Sequence, residues 1–600
     1  DNLQVFLHEK TIKMRQMTFI SPRKQLETSV GPGQIKLNNY VHQNLPGGSN
    51  SSVYNLLRLQ PGILAAGENV KDLLMWGSYR GQTKVTFDGF TVFGLKNFND
   101  NIGAINPLIA KDLSVYKGGY GAEYGDRVGG VVNIIGMDGN VSTPKIKLGI
   151  NNLTLNGVAS TPVFKNTALY IAGRKTYYNL YQELDISPTP KKPNKGAKKL
   201  AGYRARPDYD FKDFNIKFSG KSKRSEHYYI SMFQGMDYFS SNYTLSTNKS
   251  VIDGSNDERN RQFGASGFYS KQWKNGSITN VTVAHSGLKR KIDQDIDVFT
   301  DIKGNQADRS KGLTINKIIE NEAKVTHRLP QRIYGHILLG SGYIKNQTAL
   351  TRDSLQENRI NEIAESDRLF FFAEDRLQVT SKLSLTPGLR TDFNSSERKL
   401  YFQPRFGATY QINKPVQISA SWGIYKQFIA RSTEKNAQGD MDYFWTINDG
   451  KELPVYHAQH WVLGFKYQKD DLWINTDFYY KTSNGLIRYF EPLPNHKNRT
   501  SQQGQGRSYG MDVLIRKEYR GSSIWLGYSL SQTLERYIQQ SDGEYGPEEP
   551  APQDQRHELK AAGILKLSPF YFSANYVYGS GFPAKSPDLS PFPFNRFDVA

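Results

Sequence analysis

The sequence contains no cysteine, so neither a disulfide framework nor a thiolate metal site is available to it. It also lacks any apolar run near the roughly 20 residues that a membrane-spanning helix requires, and its mean hydropathy is −0.60. Those absences do not exclude a transmembrane barrel, whose strands alternate apolar and polar residues. The residues from Asp1 onward do not read as a signal peptide, as expected of a mature or trimmed chain. The glycine-rich stretch Val115 to Ile134 lacks the phosphate-loop spacing: Gly119, Gly121 and Gly125 do not form G-x-G-x-x-G, no Gly-Lys-Ser/Thr follows, and "VVNII" is a strand former where a helix should open. No nucleophile, base and orienting group recur together, so the chain does not read as an enzyme.

Charge of one sign prevails, with a net +20, but it is dispersed. The densest run, Pro190 to Pro207, is loop-like, and nucleic-acid binding needs clustered cations. No nucleic-acid partner is expected. A basic surface of this kind suits anionic lipid, including lipopolysaccharide, or an anionic ligand.

What the chain has in quantity is tyrosine, phenylalanine and glycine, the stuff of strands and turns. From about residue 145 it repeats one unit: alternating strand, tight turn, strand, long polar connection. In "WVLGFKYQKDDLWINTDFYYK", Trp461, Leu463, Phe465 and Tyr467 share one face, opposite Val462, Gly464, Lys466 and Gln468. Short turns such as "WKNGS", "NKP" and "YRGSS" alternate with long connections at Asp185 to Asp208, Lys291 to Gly312, Phe428 to Tyr456 and Gln539 to Gln555. That asymmetry predicts an outer-membrane barrel with turns on the periplasmic side. Residues 1–140 read instead as a compact α+β unit: a helix capped by Ser51 or Ser52 and stopped at Pro61-Gly62, then short strands in "KVTFDGFTVF" and "KDLSVYKGG".

The segments "LPGGSNSSVYNLLRLQPGI", "WGSYRGQTKVTFDGFTVFG" and "NPLIAKDLSVYKGGYGAEYGDRVGGVVNI" resemble, in sequence and order, the plug domain of TonB-dependent outer-membrane receptors in their Bacteroidetes-type version. "FFFAEDRLQVTSKLSLTPGLR" and "DQRHELKAAGILKLSPFYFSANYVYGSGFP" resemble the family's barrel segments. The resemblance implies an all-β membrane protein: a 22-stranded antiparallel barrel over residues 141–600, closed inside by the plug over 1–140. It implies import without cofactor or catalysis, driven by the TonB–ExbB–ExbD system. Arg80-Gly81 stands at the family's Arg-Gly position and Asp88-Gly89 at its Asp-Gly turn. Gly118 and Gly119 precede Tyr124, Gly125, Arg127, Gly129 and Gly130, which match its Tyr-Gly-x-x-x-Gly-Gly element.

In that family plug arginines pair with acidic wall residues. Alternation puts Glu322 beside Lys324 and Thr326, and Glu374 beside Arg376 and Gln378, making both carboxylates candidate partners for Arg127. A buried charge there needs a partner. Phe93, Phe98, Asn99 and Asp100 fall where the family has a plug apical loop and are candidate ligand contacts. Tyr443, Phe444 and Trp445 lie in a long connection and suit either ligand stacking or an interfacial girdle. Lys191, Lys192, Lys195, Lys198 and Lys199 in one outer connection would face an anionic chelate or lipid phosphates. His457 and His460, three apart in a strand, point to opposite faces and are not expected to share a metal.

About eighteen complete strands are countable before "FNRFDVA", so roughly three to four would be missing after it, and no TonB-contact segment is recognisable before residue 20. The function expected is import of a ferric siderophore or similar metal chelate. Glycan or peptide import with a surface lipoprotein lid, or an outer-membrane scaffold with a plug that never opens, are the alternatives.

Overall fold

The computed structural model describes residues 26–599 except 29–30, 39–51, 66–71, 96–101, 152, 178–201, 223–224, 247–250, 300–305, 333, 355–359, 436–440, 451–452, 491–499, 540–542 and 584–593. Phe98, Asn99, Asp100 and the five lysines of 191–199 therefore lie outside the described residues, as does Ser51.

The N-terminal unit is built on a mixed sheet of six strands: β1 (Leu26–Thr28), β2 (Gln34–Asn38), β3 (Thr83–Phe87), β4 (Phe90–Thr91), β5 (Ala110–Tyr116) and β6 (Gly130–Gly136), in the order β1-β2-β5-β6-β3-β4. Only β3 and β6 pair in parallel. Among its described residues one helix occurs, α1 (Val53–Arg58), which starts where Ser52 accepts the Tyr54 N–H at 3.2 Å and ends before Pro61. Such a short helix is stable only through its packing. Val53, Leu56 and Leu57 are fully buried against Val85, Leu113, Val115, Val132 and Ile134 of the sheet. Each such side chain contributes roughly 1.5–3 kcal/mol. Val131, one residue out of phase, is buried on the other face with Tyr120, Val128 and the wall residues Tyr425 and Ala458. β6 is thus covered on both sides, which is why "VVNII" reads as a continuous apolar run.

The wall begins at Lys145. Twenty strands of six residues or more, from Lys145–Ile150 to Phe594–Val599, pair antiparallel into one barrel around this unit. Nineteen of them precede Phe594, one more than segment counting gives, and the described total falls short of the twenty-two that the resemblance implies. The greasy face of each strand points outward. Trp461, Leu463 and Phe465 are 39–49% exposed, while Val462 between them is 4% exposed. A soluble sandwich would show the reverse.

Two expected connections are not loops. Lys291 to Gly312 is mostly strand, because the paired strands Ile278–Phe299 and Gln306–Arg328 run 22 and 23 residues. A bilayer needs about 9–11 residues, so the wall continues well past it, and polar residues on both faces there hid the strands from a periodicity test. Phe428 to Tyr456 holds a second structure: the strands Ile429–Lys435 and Met441–Ile447 form a separate two-stranded hairpin. It folds into the lumen, where Ile429, Ala430, Phe444, Trp445 and Ile447 are buried. Tyr443, Phe444 and Trp445 consequently form no interfacial girdle.

Candidate functional site

The seam between plug and wall concentrates the buried charge of the molecule. Arg127 is 1% exposed, and its NH1 donates to the Asp126 carbonyl at 2.5 Å and to Asp126 Oδ2 at 3.2 Å. It pairs with neither Glu322 nor Glu374. The link to the wall runs through Asp126, whose Oδ2 lies 3.2 Å from Arg368 NH2. The signs are the reverse of the expected ones: carboxylate on the plug, guanidinium on the wall. Asp126 sits at φ 63, a left-handed conformation that aspartate tolerates, and this turns its carboxylate toward Arg368.

Both candidate wall carboxylates do hold the plug, by other contacts. Glu322 accepts from Lys84 at 3.1 Å, and Glu374 Oε2 accepts the Ala122 N–H at 2.8 Å. Around Glu374 the loop from Tyr120 to Arg127 is gripped by wall arginines: Arg405 donates to the carbonyls of Tyr120 and Gly121, and Arg390 to that of Glu123 at 3.4 Å. Tyr120 closes the loop on itself, its hydroxyl donating to the Arg127 carbonyl at 2.5 Å, and Tyr124 meets Tyr116 with ring centroids 4.9 Å apart.

This packing explains the glycines. Of Gly118, Gly119, Gly121, Gly125, Gly129 and Gly130, only Gly119 has positive φ (+62). The others are required by close approach. A Cβ at Gly121 would lie 2.3 Å from Glu374 Oε2, one at Gly125 2.4 Å from Arg390 Nε, and one at Gly118 2.8 Å from the Trp76 ring. At Gly129 the obstacle is backbone, the Gln82 carbonyl oxygen at 2.8 Å, and Gly130 faces the Tyr116 carbonyl at 2.8 Å. Gly129→Ala clashes inside the plug and is expected to destabilise that domain by about 1–3 kcal/mol, read as a lower urea midpoint, whereas Gly125→Ala meets only a wall side chain and should cost less.

Asp88-Gly89 forms a second attachment. With φ of 46 and 97 the pair makes the tight turn between β3 and β4. The Asp88 carboxylate accepts from the Gly136 N–H (2.9 Å) within the plug and from wall residues Lys217 (3.0 Å) and Ser231 (2.9 Å). Its carbonyl accepts from Tyr229 (3.0 Å) and Ser266 (2.8 Å). A third attachment joins Trp76 Nε1 and Lys117 Nζ, each 2.6 Å from Asp512 Oδ2, with Trp76 stacked on Tyr479 at 4.5 Å.

Burial pushes the Asp126 carboxyl up, but Arg368, Arg127 and Lys84 more than offset this and hold it below the usual carboxylate range. Burial lowers Lys84, yet Glu322, Glu320 and Asp126 raise it overall. A depressed carboxylate stabilises above its unfolded value, about 3.9, and that contribution disappears as pH falls through the folded value. A raised ammonium stabilises below about 10.4, and its contribution disappears as pH climbs through the folded value. The contribution of these two groups is therefore flat from about pH 5 to 10 and falls in acid, checked as the difference in thermal unfolding midpoint between the wild type and Asp126→Asn in detergent, which should shrink as pH drops below about 4.

Close to the Asp126 attachment, Arg80 lies 4.2 Å over the Tyr443 ring and Gly81 (φ +75) donates its N–H to Asp72 at 2.5 Å. Phe93 is 4% exposed, meeting Trp445 edge-on at 5.3 Å. The candidate ligand contacts Phe93, Phe444 and Trp445 are therefore buried, Phe93 beneath the hairpin and the other two within it. His460 is buried and reaches the Val128 carbonyl through Nε2 at 2.9 Å, while His457 contacts Lys426 Nζ at 2.8 Å; the two share no site. Sequence reading passed over Asp126, Lys84, Lys117, Arg368, Arg390, Arg405 and Asp512. Strand phase would have found Arg368, which alternates in step with Glu374.

A barrel filled by a separately folded domain and held to it by buried ion pairs defines a plugged outer-membrane receptor. The comparisons with known proteins agree. Residues 150–597 match the family model "TonB dependent receptor-like, beta-barrel" and residues 39–131 match "TonB-dependent Receptor Plug Domain". The chain belongs to the TonB-dependent receptor family and is an outer-membrane protein. Among solved structures it is similar to the outer-membrane transporter YddB from Escherichia coli (12% identity, TM-score 0.62, covering 96% of this chain and 92% of that one). It is similar also to the siderophore receptor PirA from Pseudomonas aeruginosa (13%, 0.55, 96% and 99%) and to the alcaligin outer-membrane receptor FauA from Bordetella pertussis (12%, 0.56, 92% and 90%). No curated protein sequence matches the chain. The family consists of transporters rather than enzymes, and its membership implies TonB-dependent energy coupling.

Proposed function

We propose that this chain imports a ferric siderophore or a similar anionic metal chelate, with energy delivered by TonB–ExbB–ExbD. The observation that carries the reading is the seam itself. Asp126, Lys84, Lys117 and Asp88 are buried and paired across or beside it, so the lumen is closed and a bulky solute passes only when the plug moves. Several such buried pairs must separate together before the plug moves, each at a cost in uncompensated charge, and TonB supplies that work in this reading. Siderophore receptors among the similar structures support the ligand class. A net charge of +20 favours an anionic cargo. In this reading the cargo contacts Phe93 and the plug residues around it.

The test is uptake of radiolabelled iron, offered as a panel of ferric chelates, in cells whose only receptor of this family is this chain. Uptake of at least one chelate, abolished by loss of TonB, is expected. Iron uptake unchanged by deleting the chain, together with loss of other envelope proteins, would favour the scaffold reading instead.

A further inference from the structure

Among the described residues, the hairpin Ile429–Lys435 with Met441–Ile447 pairs with no strand of the wall and none of the plug. Its aromatic residues cover a defined set of groups. The Trp445 N–H donates to Asn316 Oδ1 at 2.8 Å, its carbonyl accepts from Asn316 Nδ2 at 3.1 Å, and its ring meets Phe93 at 5.3 Å and the Arg127 guanidinium at 5.7 Å. The Tyr443 ring lies 4.2 Å from the Arg80 guanidinium, and its carbonyl accepts from Arg290 at 3.0 Å. Each ring-over-cation contact contributes on the order of 0.5–2 kcal/mol, which another planar aromatic group is able to replace.

The hairpin's root touches the plug attachment. The Phe428 N–H donates to Asp126 Oδ1 at 3.2 Å, its ring lies 4.6 Å from the Arg368 guanidinium, and its carbonyl accepts from Asn448, which closes the hairpin at 2.8 Å. Beside it Gln427 accepts the Val128 N–H at 3.2 Å and donates to the Gly81 carbonyl at 3.1 Å. Swinging the hairpin outward pulls on residues that hold Asp126 and Arg368 together.

We propose that this hairpin is a lid seated in the ligand site. An anionic ligand carrying planar aromatic groups displaces it by taking over the contacts with Arg80, Arg127, Phe93 and Asn316, and withdrawal of Phe428 then loosens Asp126 from Arg368. The proposal rests on the import reading, and it adds to that reading a ligand chemistry and a route from the outer face to the plug attachment.

Hydrogen exchange of the full chain in lipid nanodiscs tests the route without any transport. In a Tyr443→Ala/Trp445→Ala variant, amides of 429–435 and 441–447 should exchange at least tenfold faster, and those of 120–128 should accelerate with them. Asn316→Ala, which leaves the hairpin sequence intact, should act in the same direction, and Trp461→Ala on the lipid face should change neither region. A faster hairpin with 120–128 unchanged overturns the coupling; an unchanged hairpin overturns the lid. For the ligand class, iron(III) tris-catecholate should bind the double variant at least tenfold more tightly than the wild type. Equal or weaker binding, or none to either, overturns it. The exchange result is able to fail while chelate uptake stands, and uptake is able to fail while the exchange result stands, so the two readings separate.

Discussion

Asp126→Ala is expected to weaken the docking of the plug by about 3–5 kcal/mol, because removing one member of a buried ion pair leaves its partners charged and unpaired. Here two guanidinium groups are affected. Arg127 and Arg368 are both about 1% exposed, and both have Asp126 Oδ2 within 3.2 Å. The Phe428 N–H also loses its acceptor. Measured as the urea midpoint for plug unfolding inside an intact barrel, the loss should be large, and Asp126→Asn should be milder because the amide oxygen still accepts from Phe428. A midpoint unchanged by the alanine would show that the guanidinium groups find other acceptors, and the attachment would then not depend on Asp126.

The second large effect is expected at Lys84 and Glu322. Their side chains are 10% and 14% exposed and 3.1 Å apart, so the pair is less deeply buried, and either Lys84→Met or Glu322→Gln alone should cost about 2–4 kcal/mol. The double variant should cost less than the sum by about 1–3 kcal/mol, since the second change removes the orphan left by the first. Strict additivity would mean that each group is stabilised by its other neighbours, Lys324 for Glu322 above all, and not by its partner across the seam.

The barrel was legible in the sequence wherever it crosses lipid, because there one face of each strand must be apolar and the other is not. Trp461, Leu463 and Phe465 announce themselves for that reason. Beyond the bilayer both faces of a strand meet water, the alternation fades, and Lys291 to Gly312 reads as a connection though it is mostly paired strand. The hairpin was hidden because Phe428 to Tyr456 has the length of an outer connection, and nothing local in "MDYFWTI" says that it pairs with 429–435 and turns inward.

In the seam, the glycines of Val115 to Ile134 signalled crowding, and the structure supplies its cause, since Glu374, Arg390 and the Gln82 backbone each occupy the space of a missing Cβ. Glu322 and Glu374 were recognisable from strand phase as lumen-facing acids. Their partners were not, because Lys84 and the Ala122 N–H come from plug segments far away in sequence. Arg127 drew attention to itself and away from Asp126, the neighbour that makes the contact with the wall. A pattern of residue types shows where a charge must be compensated, but the sign and identity of the compensating group depend on which way one aspartate at positive φ turns.

Movement of the plug is the centre of the account, and the chain's lack of native cysteine allows a direct test of it. A Cβ placed on Gly388 of the wall would lie 3.3 Å from the Ala122 Cβ of the plug, close to the separation that a disulfide needs. In cells that take up a ferric chelate through this chain, Ala122→Cys/Gly388→Cys should block uptake when oxidised and restore it on reduction, with each single variant active throughout. Full uptake through the oxidised, cross-linked protein would contradict the claim that cargo passes only when the plug leaves the wall at this point.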